Sequence, residues 1–528
     1  MAPLRKKKRT ESKPKAEKKE IEEVVAQIRS LEKGVQDSKK NLNDIVKIIE
    51  FCESKHAEII YSAIHSLQRI FVDFLKKGEL QKIKENALAE GAEKAKLVVS
   101  TWLRDHYIKY FNHLLKLLCH EEPSLQVTAL NLLLDFIAKE TSITGVFPNF
   151  LYYKIVEALA YNQNFNGGLQ SALMEKYINY YDDLRYYFLK DLAKVFSIEL
   201  TKPSNANKAT LVANGFAMLE QLRTMPTEES EIDEFWTEEP KSEEHDSEKK
   251  PILLQLQAHR KVFSDGWIAL LRLPLTTDIY KKVLVLMHKK IIIHMPQPTL
   301  LMDFLTDSYN AGGAISLLAL NGLFTLINEH NLDYPDFYKK LYALLDRNVL
   351  HVKYRSRFFR LLDLFLSSTH LSSSLVAAFV KRLARLSLSA PPAGIIIIVP
   401  MIYNLLKRHP STMVLIHRAD DQMDSAEVDP YRFSEADPLE SQAMSSSLWE
   451  IETLKDHYFP NVSSLAKIFS DKFNKPSYNS EDFLDHTYTT LIAAELGRKM
   501  KKAPALAIEG SGALFSEEDV YSPLWTMA

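Results

Sequence analysis

The sequence predicts an all-α protein, built as an irregular α-solenoid of HEAT- or armadillo-like helical hairpins. Apolar residues recur at spacings of three and four along most of the chain, which is typical of amphipathic helices. Stretches of strict apolar–polar alternation, the signature of strands, are almost missing. Glycine accounts for only 15 of 528 residues. Helical pairs separated by short breaks favour a solenoid, although a set of separate helical bundles fits the same pattern.

Composition limits the function classes. With 66 Lys and Arg against 68 Asp and Glu, the formal net charge is −2, so any nucleic-acid contact has to come from a local patch. Scarce glycine disfavours nucleotide-binding folds, because backbone must approach the phosphates closely in such sites. Two cysteines, Cys52 and Cys119, cannot supply a disulfide framework or a structural zinc site unaided. They indicate a reducing compartment.

A basic arm is predicted at residues 1–20, where nine basic and three acidic residues stand beside Pro3 and Pro14. Such a segment cannot bury apolar surface and is expected to be disordered. Its cluster is typical of a nuclear localisation signal, formed by Arg5, Lys6, Lys7, Lys8 and Arg9. A solvated tail without a receptor is the alternative.

N-terminal helical repeats are predicted over residues 21–225. Residues 59–74 place isoleucine, leucine and phenylalanine on one face of a helix. A hairpin follows, in which Trp102–Cys119 pairs with Leu125–Lys139 and Ser124 is the predicted N-cap of the second helix.

Residues 226–250 are predicted to be an acidic linker or loop that divides the helical array. Between residues 227 and 248 there are eleven acidic residues and one lysine, Lys241, a composition that cannot fold alone. An acidic arm that docks a basic partner through Phe235 and Trp236 is a second interpretation.

C-terminal helical repeats are predicted at 251–418, an extended segment at 419–446, further helices at 447–502 and a tail at 503–528. Ala390–Leu406 is strongly apolar but shorter than a membrane span and interrupted by prolines, so a buried core helix is expected. Trp449 is expected in the core, closing the end of the repeats with His457 and Tyr458. In the tail, acidic and aromatic residues alternate from Phe515 to Tyr521. This pattern is found in docking peptides, but also in tails that are simply disordered.

Motifs that carry catalysis are missing from the sequence. It has no phosphate-binding P-loop, no dinucleotide fingerprint, no nucleophile elbow and no zinc-protease motif. Cys119, His120, Glu121 and Glu122 are adjacent, and neighbours on a helix point apart, so they do not form a metal site. Gly312-Gly313 is better explained by a turn. We therefore expect no enzyme, no cofactor and no metal.

A basic ridge is predicted in the C-terminal repeats. Helical projection gathers basic side chains on faces opposite the apolar ones, and adjacent solenoid helices can align them into a surface for phosphates or an acidic partner. The candidate contact residues are Lys353, Arg357, Arg360, Lys381, Arg382, Arg385, Lys407 and Arg408. A solubilising face with intrahelical ion pairs is equally compatible, because acidic residues such as Asp346 and Asp363 are nearby.

Around these residues the sequence resembles the CCAAT-binding-factor-type domain of nucleolar complex proteins. The resemblance covers about residues 310–460 and rests on Ala319–Phe324, Asn331–Tyr342, His351–Phe359, Leu375–Leu386, Ala390–Pro392, Tyr403–Pro410 and Ser446–Glu450. Ser372–Ser374 departs from the family, which has a proline-containing turn before the helix.

The resemblance implies a non-enzymatic scaffold of the nucleus and nucleolus that assists small ribosomal subunit (40S) biogenesis. Family members act in the small-subunit processome with nucleolar protein 14 and other processome proteins, in pre-rRNA processing, 40S maturation and export. Direct pre-rRNA binding through the basic ridge is an alternative function, and a transport-receptor-like solenoid is another. No membrane span and no small-molecule substrate are expected.

Overall fold

The computed structural model describes residues 13–80, 92–202, 208–237, 250–332, 334, 336–352, 354–417 and 429–499. Within these residues the regular elements are helical, which confirms the all-α prediction. The chain divides into two compact units, Met1–Leu332 and Asp333–Ala528. The predicted localisation residues Arg5–Arg9 and the tail from residue 503 lie outside the described residues, as does Lys353.

Thirteen α-helices are described in the N-terminal unit. They are α1 Lys13–Asp37, α2 Asp44–Phe51, α3 Ala57–Lys76, α4 Ala92–Leu118, α5 Pro123–Thr144, α6 Asn149–Ala160, α7 Gly167–Leu173, α8 Asp182–Thr201, α9 Lys208–Glu220, α10 Leu256–Leu271, α11 Thr277–Leu286, α12 Met302–Asn310 and α13 Gly313–His330. Helix α1 begins inside the predicted basic arm, because the sequence from Lys13 is rich in lysine, glutamate and alanine, which are strong helix formers.

Helices of this unit pack against both their next and their second neighbours in the sequence. Helix α4 contacts α5 and α6, α6 contacts α8, and α8 contacts α10. Aromatic residues fill the layers between helices: the Tyr110 ring lies 5.5 Å from Phe71 and 5.8 Å from Phe136, and its hydroxyl donates to the Ile64 carbonyl at 2.7 Å. This stacking of successive helices agrees with the predicted α-solenoid.

Two local predictions in this unit are corrected. Helix α5 begins at Pro123 with Glu122 as its N-cap residue, so Ser124 is not the cap. Proline suits the first helical turn because its missing N–H would have no partner there. The array is also not divided at the acidic segment: α8 and α10 pack together across it, and the division falls after Leu332.

The C-terminal unit contains eight described α-helices. They are α14 Phe337–Ala343, α15 Arg355–Phe365, α16 Ser373–Ser387, α17 Pro392–Arg408, α18 Trp449–Leu454, α19 Pro460–Ala466, α20 Glu481–Leu484 and α21 Tyr488–Leu496. Ser372 supplies the N-cap of α16 by accepting a hydrogen bond from the Leu375 amide, which satisfies a helix-end donor without a proline-containing turn.

Helix α17 is the core of this unit. Every residue from Ala393 to Leu406 is buried, including Pro400 inside the helix, which confirms the predicted core helix. Helix α16 packs against it with Leu375, Phe379 and Leu383 inward. In the part of the chain that the structure describes, no helix combines the length and the apolar character needed to cross a bilayer.

Candidate interaction site

Helix α16 carries three residues of the predicted basic ridge, and the structure turns them toward the protein itself. Lys381 is fully buried. Its ammonium group lies 2.8 Å from Glu450 Oε1 and 3.1 Å from Asp429 Oδ2, and donates to the Ser447 carbonyl at 2.5 Å. Since a buried ammonium group cannot meet a partner, the prediction of a surface contact at Lys381 is wrong.

Arg385 joins the same carboxylates. Its Nε lies 2.8 Å from Glu450 Oε1 and its Nη2 lies 2.5 Å from Asp429 Oδ2. The guanidinium carbon stands 4.8 Å from the centre of the Trp449 indole, within cation–π range. We call Lys381, Arg385, Asp429, Trp449 and Glu450 the clasp, because it fastens the segment 429–450 to α16.

Asp429 is the most densely hydrogen-bonded carboxylate of the clasp. Its Oδ1 accepts from the Ser446 hydroxyl and from the Tyr431 amide, and its Oδ2 accepts from Trp449 Nε1 at 2.8 Å. Burial by itself raises the pKa of Asp429, but the hydrogen bonds from Ser446 and Trp449 outweigh burial and hold the pKa well below its usual range. Asp429 is therefore ionised throughout the physiological pH range.

Arg382 also forms its hydrogen bonds within the C-terminal unit. Its Nε donates to the Leu345 carbonyl at 2.8 Å and its Nη1 to the Phe433 carbonyl at 3.1 Å. The guanidinium lies between two rings, 4.4 Å from the Tyr342 centroid and 4.9 Å from that of Phe433. Arg382 thus links α14 and the segment after Asp429 to α16.

Two of the remaining ridge residues, Arg360 and Lys407, bond to the last part of the described chain. Arg360 pairs with Glu481, with Nε 2.6 Å from Oε1. Arg408 Nη1 lies 3.1 Å from Asp363 Oδ1, so Asp363 does pair with a ridge residue, but between α17 and α15 rather than within one helix. Lys407 donates to the Lys475 carbonyl at 2.5 Å, whereas Arg357 is half-buried and forms no ion pair with a described residue. Contact of these four with a partner stays a prediction.

Trp449 is not a core residue, contrary to expectation. Its side chain is 40% exposed, because the indole caps the clasp from outside while Ile451 and Leu454 of the same helix point inward. Tyr458 is exposed as well and stacks on His457. The sequence pattern could not predict the clasp, because Asp429 and Glu450 lie far in the sequence from α16, whose Lys381 and Arg385 they pair with.

The acidic segment is anchored in the N-terminal unit at its described end, residues 226–237. Asp183 accepts hydrogen bonds from the amides of Trp236 at 3.0 Å and Thr237 at 2.9 Å. Trp236 Nε1 donates to the Leu134 carbonyl at 2.9 Å, and the indole lies edge-on to Tyr177 and Tyr181. Trp236 is half-buried and already docks on its own chain, so its role as an anchor for a partner stays a prediction. Phe235 is only half-buried, and its contact with a partner stays a prediction.

Asp182 fixes the same segment from the neighbouring position. Its Oδ2 accepts from the amides of Asp233 and Glu234, and its own amide donates to the Glu234 carbonyl at 2.8 Å. Arg185 forms a buried ion pair with Asp182. Burial lowers the pKa of Arg185 to about 10, so the guanidinium remains charged at neutral pH.

Potential metal ligands are scattered rather than grouped in the described part of the chain. Across the residues placed by the structure, histidine, cysteine and carboxylate side chains form no group of three that could hold a metal ion. His120 Nδ1 accepts from the Glu122 amide at 3.0 Å. Gly312 and Gly313 have φ values of +77° and +60°, which confirms that this pair forms a turn.

Stacked helices and internally paired charges define a helical-repeat protein. A model described as the CBF/Mak21 family matches residues 316–466, and one described as nucleolar complex protein 4-like, TPR repeats matches residues 16–201. The second description assigns the N-terminal repeats to the TPR type rather than to HEAT or armadillo. The chain belongs to the nucleolar complex protein 4 family.

Relatives cover nearly the whole chain. An uncharacterized protein of Schizosaccharomyces pombe is 40% identical over 490 residues, covering 91% of this chain and 97% of the relative. The nucleolar complex protein 4 homolog of Mus musculus is 36% identical over 508 residues, covering 94% of this chain and 96% of the relative. That of Homo sapiens is 37% identical over 480 residues, covering 88% of this chain and 90% of the relative.

Proposed function

We propose that this protein is a non-enzymatic scaffold in nucleolar ribosome biogenesis, acting in small-subunit (40S) assembly within the small-subunit processome. Nucleolar protein 14 is its main protein partner, and its work supports pre-rRNA processing, 40S maturation and export. The observation that carries the proposal is identity of 36–37% over about nine-tenths of the chain to the mouse and human proteins named nucleolar complex protein 4 homologs. Its place is the nucleus and nucleolus, with Arg5–Arg9 as the import signal.

The architecture supports a scaffold mechanism. Successive helices stack without an exact sequence repeat, so the surface offers many chemically different patches along the chain. Several weak contacts made at once by one extended partner add up to tight binding through effective concentration. The clasp keeps the C-terminal unit rigid, so a partner that binds there meets a preformed surface.

Direct RNA binding through the ridge has less support than partner binding. Lys381, Arg382 and Arg385 already satisfy carboxylates and carbonyls inside the protein. Among the described ridge residues, phosphate recognition would therefore depend on Arg357, Arg360, Lys407 and Arg408, of which Arg360 and Arg408 are themselves paired. Binding that depends on so few free charges would be weak and strongly salt-dependent.

Affinity purification of the full-length protein from nuclear extract tests the proposal. The extract is treated with nuclease, washed at low and at high salt, and the retained proteins are quantified by mass spectrometry. We expect nucleolar protein 14 at near-equal stoichiometry after both washes. Loss of every protein partner upon nuclease treatment would overturn the scaffold mechanism and favour RNA binding.

A further inference from the structure

An open groove of about 1090 Å³ runs along the first helices of the N-terminal unit. Every fourth residue of α1 from Ile21 to Lys33 lines it, and so does every fourth residue of α3 from Ala57 to Arg69. Residues four apart share one helix face, so the groove follows both helices lengthwise. The first turn of α5 also lines it, through Leu125. Since α3 packs against both α1 and α5, α3 forms the floor.

The two longer sides of the groove, α1 and α3, run in the same direction. Arg69 of α3 pairs with Glu32 of α1, with Nε 2.5 Å from Oε1. Glu22 precedes Glu32 by ten positions and Glu58 precedes Arg69 by eleven, and both glutamates line the groove. In an antiparallel pair, Glu22 would lie beyond the far end of α3 and could not share the groove with Glu58. The two glutamates therefore lie together at one end.

Charges of opposite sign collect at the two ends of the groove. Helix α5 also runs parallel to α3, because Gln68 Nε2 donates to Asp135 at 2.6 Å while the start of α5 lines the groove together with the start of α3. The end where α3 and α5 begin carries three carboxylates and the other end three cations, which are Glu22, Glu58 and Glu122, and Arg29, Lys33 and Arg69, respectively. Among the described residues, only Arg69 of these six has an ion-pair partner. The other five charges are therefore open to a bound chain.

The middle of the groove is apolar and aromatic. Tyr61 is 51% exposed, and its ring centre lies 4.4 Å from that of His65 on the next turn. Val25 and Ala26 of α1 line the same space and are half-buried and exposed, respectively. His65 Nε2 is buried and has no hydrogen-bond partner among the described residues, although buried polar groups generally have one. The groove therefore offers apolar surface and an unsatisfied imidazole nitrogen between its charged ends.

We propose that this groove holds an α-helix of a protein partner, with acidic residues in the first turn of that helix and basic residues in its last turn. The proposal rests on the scaffold function and deepens it. Both charge placements are common in helices because they offset the helix macrodipole. The first turn of the partner helix meets Arg29 and Lys33, and its last turn meets Glu22 and Glu58. The partner helix therefore lies antiparallel to α1 and α3.

The dimensions of the groove fit one helix. From Glu58 to Arg69 the groove extends about 16 Å, the length of about three helical turns. Packed helices lie about 8–10 Å apart, so a helix seated over α3 contacts α1 on one side and α5 on the other. Apolar residues at i, i+4 and i+7 of the partner helix cover Tyr61 and Val25. RNA fits less well, because the three carboxylates at one end repel phosphates.

Charge reversal at the basic end tests the groove. The double variant Arg29→Glu, Lys33→Glu places two carboxylates opposite the acidic first turn of the partner helix. The control variant Lys40→Glu, Lys109→Glu makes the same change in net charge at exposed positions outside the groove. With purified nucleolar protein 14, we expect the groove variant to bind about tenfold more weakly than wild type and the control to bind within about twofold. Unchanged circular dichroism and thermal midpoint show that both variants fold.

Charge reversal at the acidic end supplies a second, independent variant. Glu22→Lys, Glu58→Lys places two cations opposite the basic last turn of the partner helix, so we expect a similar loss of affinity. A ligand that is acidic throughout, or RNA, would instead bind this variant more tightly than wild type. Tighter binding would overturn the proposal.

Crosslinking identifies the occupant of the groove and its direction. A photoreactive residue at position 30 of the full chain marks the basic end of the groove, and one at position 57 marks the acidic end. In the complex with nucleolar protein 14, both should crosslink to one partner helix, and position 30 should reach a residue about nine positions nearer the N-terminus than position 57 does. The opposite order, or a crosslink to residues 1–12 of the same chain, to a second copy or to RNA, would contradict the proposal.

Failure of this inference and failure of the scaffold function give different results. If wild type binds nucleolar protein 14 and both groove variants bind it equally well, the groove is not the site, and the scaffold function stands. If wild type retains no protein partner, both proposals fall.

Discussion

Lys381 and Glu450 form an ion pair in which neither side chain is exposed to solvent, with 2.8 Å between Nζ and Oε1. The two residues belong to different helices, α16 and α18, and are 69 positions apart in the sequence. Asp429 and Arg385 complete the charge balance. The segment that joins α17 to α18 is thus fastened by buried charges as well as by apolar packing.

Removing the ammonium group should destabilise the C-terminal unit strongly. In Lys381→Met the two carboxylates lose a buried counter-charge, and breaking such a pair costs about 3–5 kcal/mol. We expect a lower thermal midpoint and faster hydrogen exchange in residues 429–450. Lys77→Met is the matched control, because its pair with Asp73 is exposed and an ion pair in solvent contributes little to stability. Equal stability of the two variants would refute the role of the clasp.

Asp191 should make stability depend on pH. Burial raises its pKa to about 7, against the lowering effect of Lys190 and Lys194, and Oδ2 has no hydrogen-bond partner among the described residues. The folded state therefore holds a proton that the unfolded chain releases near pH 4. Stability from this group is complete below about pH 4 and is lost as the pH rises toward 7.

Asp191→Asn removes that dependence. We expect the variant to be more stable than wild type at pH 8, by up to about 4 kcal/mol, and similar to it at pH 4. Urea unfolding at both pH values measures the difference. A constant difference between the two proteins across this range would show that Asp191 does not titrate as described.

Gly215 in α9 should tolerate no side chain. A Cβ atom at this position would stand 2.4 Å from Cζ of Phe196, which is fully buried in α8. Gly215→Ala should lower stability by about 1–3 kcal/mol through overpacking, despite the better helix propensity of alanine. Gly266→Ala in α10 is the control, since its Cβ would meet Leu189 at an ordinary 3.8 Å. Thermal unfolding should rank Gly215→Ala below wild type and Gly266→Ala at or above it.

Asp183 should control access to the acidic segment. Asp183→Ala removes the acceptor for the Trp236 and Thr237 amides, so residues 235–237 should loosen from α8 while Asp182 still holds Asp233 and Glu234. We expect faster cleavage by a protease specific for acidic residues and a red-shifted Trp236 emission. Glu228→Ala, at an exposed position of the same segment, should leave both readouts unchanged. Identical digestion of the two variants would contradict the anchoring.

The helices could be predicted from the sequence because their apolar periodicity is local. The sequence correctly predicts the apolar faces of α15 and α16, on which Phe358, Leu362 and Phe379 are buried. Lys381 shows the limit of prediction from periodicity. Its position opposite the apolar face predicts solvent, but residues 429–450 return to cover that face, and periodicity carries no information on contacts between distant segments.

The same limit applies to the candidate site. A basic helix face is compatible with phosphate binding, with solvation and with buried ion pairs, and the carboxylates that decide between them lie far away in sequence. Trp449 was expected in the core from its residue type, whereas cation–π contact with Arg385 holds it at the surface.

The distance in sequence between Lys381 and Glu450 has a consequence for how the protein is made. Synthesis proceeds from the N-terminus, so α16 emerges from the ribosome well before the glutamate that neutralises it. Until then, burying Lys381 would leave a charge without its principal counter-ion, at a cost of several kcal/mol. Any product that terminates before residue 450 therefore lacks the carboxylate that its C-terminal unit needs to close. Completion of this unit depends on translation having passed Glu450.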